Sequence, residues 1–161
     1  MIKRIVLFTA LLLPVLIFVF LKFFGKNEFE LPVYYTETIP ITSSECAEAY
    51  PVPYRISNSP LISQGKHTVL AFYDGLSEVE TSSYENQLKR LENEFNPTEF
   101  ELIVVQDSLA NQKEKNCVFL MADNRLVLID SDGRIRGYYK DASLKEVDRL
   151  ILELQILLKK Y

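Results

Sequence analysis

Few residues in this 161-residue chain could do chemistry: two cysteines, Cys46 and Cys117, and one histidine, His67. Two thiols can close a disulfide, exchange disulfides with a partner, or hold soft copper(I). Cys46 and Cys117 lie too far apart in sequence to form a motif, and Glu45 and Glu48 beside Cys46 disfavour its thiolate. Three readings of the pair stay open: a structural disulfide tying the N-terminal segment to the core, two free thiols, or a redox-active or copper-binding pair. As a staple, the long loop would contribute about 3–5 kcal/mol by restricting the unfolded chain. His67 has no serine, cysteine or carboxylate beside it in sequence to form a catalytic pair, so it reads as a histidine at the solvent edge of a strand. A zinc site built from cysteine and histidine would need more ligands than these.

The elements that must position these residues begin with an apolar run, Ile5 to Leu21, which Phe23 and Phe24 extend past Lys22. About 17–25 apolar residues cross a bilayer as a helix. No small-x-small cleavage pattern follows, and no cysteine offers a lipid anchor, so residues 5–24 read as an uncleaved single-pass anchor. Lys3 and Arg4, against Lys22 and Lys26, push toward a cytoplasmic N-terminus (residues 1–4) and a globular part in the periplasm or cell exterior, where disulfides persist. An inner-membrane location is therefore expected. A net charge of −4 without a basic aromatic stripe argues against nucleic-acid binding.

Residues 25–66 carry Pro32, Pro40, Pro51, Pro53 and Pro60 and read as stalk and edge segments. Tyr34, Tyr35, Tyr50, Tyr54, Ile56 and Leu61 are more apolar than a free linker needs, so this stretch should touch the domain that follows, residues 67–161. In that domain Thr68–Tyr73 reads as a buried strand ended by Asp74-Gly75. A helix begins between Ser77 and Ser83, with Ser77/Glu80 and Ser82/Glu85 both at capping-box spacing. Tyr84, Leu88, Leu91 and Phe95 form its inward face, Asn96-Pro97 stops it, and Phe100–Val105 is the parallel partner strand. Gln106–Asn116 is polar, a loop or short helical turn, before the apolar Cys117–Met121.

Two β-rich runs then flank Asp130-Ser131-Asp132-Gly133, a hairpin signal, with Gly133 taking positive φ and the aspartates bonding nearby backbone. Strand alternation sends Arg134, Arg136 and Tyr138 to one face, as a candidate partner patch or simply a solvated surface, and Ile135, Gly137 and Tyr139 to the other. The acidic Glu78, Glu80 and Glu85 read as a wet helix surface. The last helix starts with a Ser143/Glu146 capping box and repeats Leu144, Val147, Leu150, Ile151, Leu154, Leu157, Leu158 and Tyr161, with Lys159 and Lys160 suiting its C-terminal dipole. The sum is α/β: β-α-β, a poorly defined link, β-β, then α. This is a thioredoxin-like order with its middle helix reduced or absent, behind one transmembrane helix.

Two stretches carry a family resemblance. One is the anchor with Phe23-Phe24-Gly25-Lys26-Asn27-Glu28-Phe29-Glu30-Leu31-Pro32-Val33-Tyr34-Tyr35. The other is Val127–Asp130 with Gly133–Tyr139 and Glu146–Leu150. The chain resembles the bacterial SCO/SenC family, membrane-anchored thioredoxin-fold proteins that help assemble the copper site of cytochrome c oxidase. The family's Cys-x-x-x-Cys positions fall here on Ser77 and Thr81, and its copper-binding histidine on Ala122. Hydroxyls are poor copper(I) ligands and alanine offers none. The stretch from Phe95 to the hairpin is also shorter than the family's. No proline follows Pro97, so the cis-proline beside the active cysteines of thioredoxin-type oxidoreductases is missing. The resemblance implies a degenerate, shortened relative that is not an enzyme and binds no cofactor. It would be an accessory or scaffold protein near oxidase assembly, held to the membrane and meeting a protein partner such as an assembly factor. A second reading is a thiol-disulfide or copper-handling protein using Cys46 and Cys117; copper enters only there. A third is a structural membrane subunit packed on a larger complex.

Overall fold

The computed structural model describes residues 2–24, 30–39, 46, 50–57, 59–63, 65–73, 75–106 and 108–159. Expectations placed on Met1, Asp74, Lys160, Tyr161, residues 25–29 and most of 40–49 fall outside them. The chain divides into two units, Met1–Glu30 and Leu31–Tyr161. The first is helix α1 (Ile2–Phe24), with its charges at the ends in Lys3, Arg4 and Lys22. Its 23 residues, at about 1.5 Å rise each, reach across a hydrocarbon core of about 30 Å. Ile2–Phe23 is long and apolar enough to cross a membrane, and none of its described side chains is buried.

The second unit is a four-stranded mixed sheet with helices on both faces. Its elements are β1 (His67–Phe72), α2 (Glu78–Glu94), β2 (Phe100–Val105), α3 (Leu109–Cys117), β3 (Leu126–Ile129), β4 (Ile135–Tyr139) and α4 (Leu144–Leu157). The strand order is β2-β1-β3-β4; β1 and β2 are parallel, and β3 is antiparallel to both β1 and β4. β1 and β3 are covered on both faces, which is why they read as unbroken apolar runs. One face buries Val69, Ala71, Leu126 and Leu128 under Tyr84, Leu88 and Leu91 of α2 and Val147, Leu150 and Leu154 of α4. The other buries Leu70, Phe72, Val127 and Ile129 under Phe119, Leu120 and Met121, together with Tyr54 and Ile56 from the N-terminal segment.

Of the two starts offered by the sequence, α2 takes the earlier one. The Ser77 side chain accepts from the Glu80 amide, and the Glu80 carboxylate accepts from the Ser77 amide, 2.9 Å away. At α4 the expected capping box does not form. Asp141 Oδ1 accepts from the Ser143 amide instead, while Glu146 pairs with Arg149 at 3.0 Å. The polar link after β2 is the nine-residue α3, capped by Ser108 accepting from the Asn111 amide. Its apolar signal is weak because Phe119–Met121, which follow the helix, fill the core, and the Lys115 ammonium stands over the Phe72 ring, 5.9 Å from its centroid.

The described residues between Leu31 and Lys66 belong to the compact unit, which begins at Leu31. The Tyr34 amide donates to the Ile135 carbonyl, Tyr54 to Tyr35, and Ile56 to Gly133, so this strap lies along β4 and the hairpin. In the hairpin, Asp130 Oδ1 accepts from the Asp132 and Arg134 amides, at 3.0 and 2.9 Å. The pairing slips between Leu128↔Gly137 and Ile129↔Ile135, which leaves Arg136 as a bulge. The expected alternation therefore fails there: Ile135 joins Tyr138 on the α3 face, while Tyr139 lies under α2 and α4.

Gly133 sits at φ +77°, and a Cβ there would stand 2.6 Å from the Ile56 carbonyl oxygen. Gly133→Ala should therefore lower stability by about 1–3 kcal/mol in urea denaturation of the micelle-solubilised chain. An unchanged midpoint would remove the strap from this position.

Candidate functional site

The last carbonyls of an α-helix have no partner within the helix. At the end of α3, three consecutive carbonyls, that of its last residue and the two that follow, are met by tyrosines from elsewhere. Tyr50 donates to the Cys117 carbonyl at 2.9 Å, Tyr54 to Val118 at 2.7 Å, and Tyr138 of β4 to Phe119 at 2.8 Å. Their rings meet mostly edge to face: Tyr50–Tyr54 at 5.6 Å, Tyr35–Tyr54 at 6.5 Å and Tyr34–Tyr138 at 5.2 Å between centroids. Burial, helped by Tyr50, pushes the Tyr54 hydroxyl up to about 12. Burial and a hydrogen bond with Tyr35 raise Tyr138 far above the usual tyrosine range. These hydroxyls act as neutral donors.

Cys117, the last residue of α3, is bonded to Cys46 with a Cα–Cα distance of 5.2 Å, so both cysteines of the chain are in one disulfide. Both are half-buried. The bond ties the strap to the same helix end that the tyrosines grip. Nothing in the cysteine spacing pointed to this pairing over free thiols. Tyr50 and Tyr54, one helical turn apart in sequence within a proline-containing stretch, were the legible part of the clamp.

Ser77 and Thr81 stand one turn apart at the start of α2, on the opposite face of the sheet from α3. Their hydroxyls are engaged: Ser77 Oγ donates to the Glu80 carboxylate at 2.7 Å, and Thr81 Oγ1 to the Ser77 carbonyl at 2.9 Å. The hydrogen bonds from the Ser77 hydroxyl and the Ser77 amide hold the Glu80 carboxyl below the usual carboxylate range. Ala122 is exposed, at φ +46°, in the turn before β3. That turn lies at the same end of the sheet as α2's start, since β3 runs antiparallel to β1 and the Phe72 amide donates to the Arg125 carbonyl.

The three members of the hairpin patch are drawn into internal contacts. Arg134 pairs with Asp130 at 2.9 Å and Asp132 at 2.7 Å; Arg136 lies 3.7 Å from Asp130 with 13% of its side chain exposed. Tyr138 belongs to the clamp. His67 is half-buried, not at a solvent edge, and its Nδ1 is buried without a hydrogen-bond partner. Burial pushes its pKa below the usual histidine value. Asp130 opposes this most, Arg136 reinforces it, and Asp132 and Glu99 oppose it further. Among the described residues, no group of three or more His, Cys, Asp and Glu is placed to hold a metal ion.

No protein-family model matches this chain, and no curated protein matches it.

Replacing both cysteines by serine should remove about 4 kcal/mol of stability, from the 71-residue separation that the bond closes. Chemical denaturation without reductant measures it, and a loss under about 1 kcal/mol would rule the staple out as a major stabiliser. His67 carries the second expectation. Its folded pKa lies below the unfolded 6.5, so under pH 6.5 the unfolded chain binds more protons and stability falls as pH drops. Above pH 6.5 His67 contributes no slope. His67→Gln should flatten the first part of this acid-side decline in melting temperature.

Proposed function

We propose that this protein is a membrane-tethered, thioredoxin-like accessory domain that works through contact with a protein partner, not through thiol or metal chemistry. One observation carries the reading. The two sulfurs are bonded to each other at the end of α3, whereas the positions that resemble the family's cysteines, Ser77 and Thr81, have their hydroxyls engaged in capping α2. The order β1-α2-β2-α3-β3-β4-α4, with a parallel β-α-β unit and then an antiparallel hairpin and helix, supports the thioredoxin-like assignment. The apolar helix α1 supports tethering. A tether raises the local concentration of any partner in the same membrane.

The disulfide, together with Lys3 and Arg4 ahead of the apolar run, favours a single-pass inner-membrane protein with its domain on the periplasmic side. A place near cytochrome c oxidase assembly rests on family resemblance alone, so it is an argument by association. The half-buried disulfide favours one second reading: thiol-disulfide exchange through Cys46 and Cys117, with a partner thiol as the attacking group.

Copper(I) titration against a competing chelator tests these readings. The natural chain, purified without reductant, should expose no free thiol and take up no copper(I). A variant carrying Ser77→Cys, Thr81→Cys and Ala122→His should gain about one tightly held copper(I) per chain, since three ligands including two thiolates would then stand at one end of the sheet. Failure of that variant to bind would remove the family positions from Ser77, Thr81 and Ala122. High-affinity copper(I) binding by the reduced natural chain would favour the second reading.

A further inference from the structure

At the end of the sheet away from Ser77 and Ala122, the strap, the start of β1 and the hairpin line a half-open cleft of about 480 Å3. That volume suits a small organic ligand. Its polar wall includes Arg55, Ser57, Ser63, Lys66 and Ser131. Two carboxylates, Asp130 and Asp132, also line it, but their charge is already answered. Asp130 accepts from two backbone amides and from Arg134 Nε, with Arg136 3.7 Å away, and Asp132 pairs with Arg134 at 2.7 Å. Among the described residues, neither Arg55 nor Lys66 is paired with a carboxylate. The Lys66 ammonium donates to the Pro97 carbonyl at 3.3 Å and keeps further donors free.

Arg134 and Arg136, which do not line the cleft, answer Asp130 and Asp132, so Arg55 and Lys66 are the charges left over along its wall, in a chain of net charge −4. Arg55 and the remaining donors of Lys66, beside three serine hydroxyls, offer more donors than one carboxylate needs and suit the several oxygens of a phosphate. Ile62, half-buried, supplies the apolar wall beside them.

We propose that this cleft binds a small organic phosphate, its phosphoryl oxygens held by Arg55 and Lys66 with serine hydroxyls, and its apolar part against Ile62. The phosphate is either that of a soluble metabolite or that of a lipid headgroup. Neither source involves the Ser77 end of the sheet or the disulfide.

The test is calorimetric titration of the full chain with phenyl phosphate and inorganic phosphate in maltoside micelles, which contain no phosphate. Phenyl phosphate should bind about tenfold more tightly than inorganic phosphate, because its ring adds apolar burial. Arg55→Gln and Lys66→Gln should each weaken it about tenfold, and added salt should weaken it further. Arg55 is exposed, so its variant should melt unliganded at the wild-type temperature, which keeps a loss of binding distinct from a loss of fold. In phosphatidylglycerol nanodiscs, retained phenyl phosphate binding identifies a soluble ligand; its exclusion identifies the lipid headgroup. Absence of binding in micelles, or affinity unchanged in both variants, would overturn the proposal.

Discussion

The C-terminal end of α3 is where the globular unit is tied together. A helix of nine residues covers too little of its sheet face, and β1 and β3 present four fully apolar side chains there. The strap supplies the missing cover with Tyr54 and Ile56, which are 7% and 5% exposed. The strap bonds to itself through the Tyr54 amide and the Tyr35 carbonyl, outside any helix or strand, and ordering each of its residues costs about 1–2 kcal/mol. The Cys46–Cys117 bond offsets part of that by restricting the unfolded chain, and the tyrosines do the rest locally. Each hydroxyl that meets a buried carbonyl contributes about 1 kcal/mol net, and each spares an acceptor that would otherwise lie unpaired.

The hairpin is the second anchorage of the strap, and it is electrostatic in origin. Asp130 is 4% exposed, a burial that a carboxylate tolerates only with partners; two amides, Arg134 and Arg136 provide them. This shapes the turn so that Gly133 offers its carbonyl to the Ile56 amide, with no room for a side chain between them. The outer edge of β4 is handled by the same segment: Tyr34 takes the Ile135 carbonyl, and Arg149 from α4 takes that of Tyr138. Staple, tyrosine clamp and hairpin thus act on one stretch of chain, and they leave the Ser77 end of the sheet out of the arrangement.

Legibility in the sequence followed the strength of the periodic signal. α2 and α4 announced themselves through Tyr84, Leu88 and Leu91 and through Val147, Leu150 and Leu154, all of which are buried. β1, β2 and the hairpin strands were equally plain. α3 was not, because it meets the core through the Lys115 ammonium over the Phe72 ring and through residues beyond its own end. The bulge at Arg136 moved Ile135 to the other face, since a one-residue slip reverses a strand's pattern and leaves no mark in composition. The Ser143 cap failed because Asp141, two residues earlier, captured the amide first. Ser77, Thr81 and Ala122 could be named from resemblance, but their engagement in capping and turn geometry appears only in the fold. The tyrosine clamp was half legible: the strap's tyrosines were conspicuous, and the carbonyls they meet were not.

The central claim is that the strap belongs to the folded unit, held at the end of α3 and at the hairpin. Amide hydrogen exchange on the oxidised full chain in micelles tests it most directly, read at Tyr34, Tyr54 and Ile56. Their amides donate to Ile135, Tyr35 and Gly133, so protection should be of the same order as in β4. Exchange at these three sites as fast as in unstructured chain, with β1 to β4 still protected, would make the strap a loose linker and contradict the account.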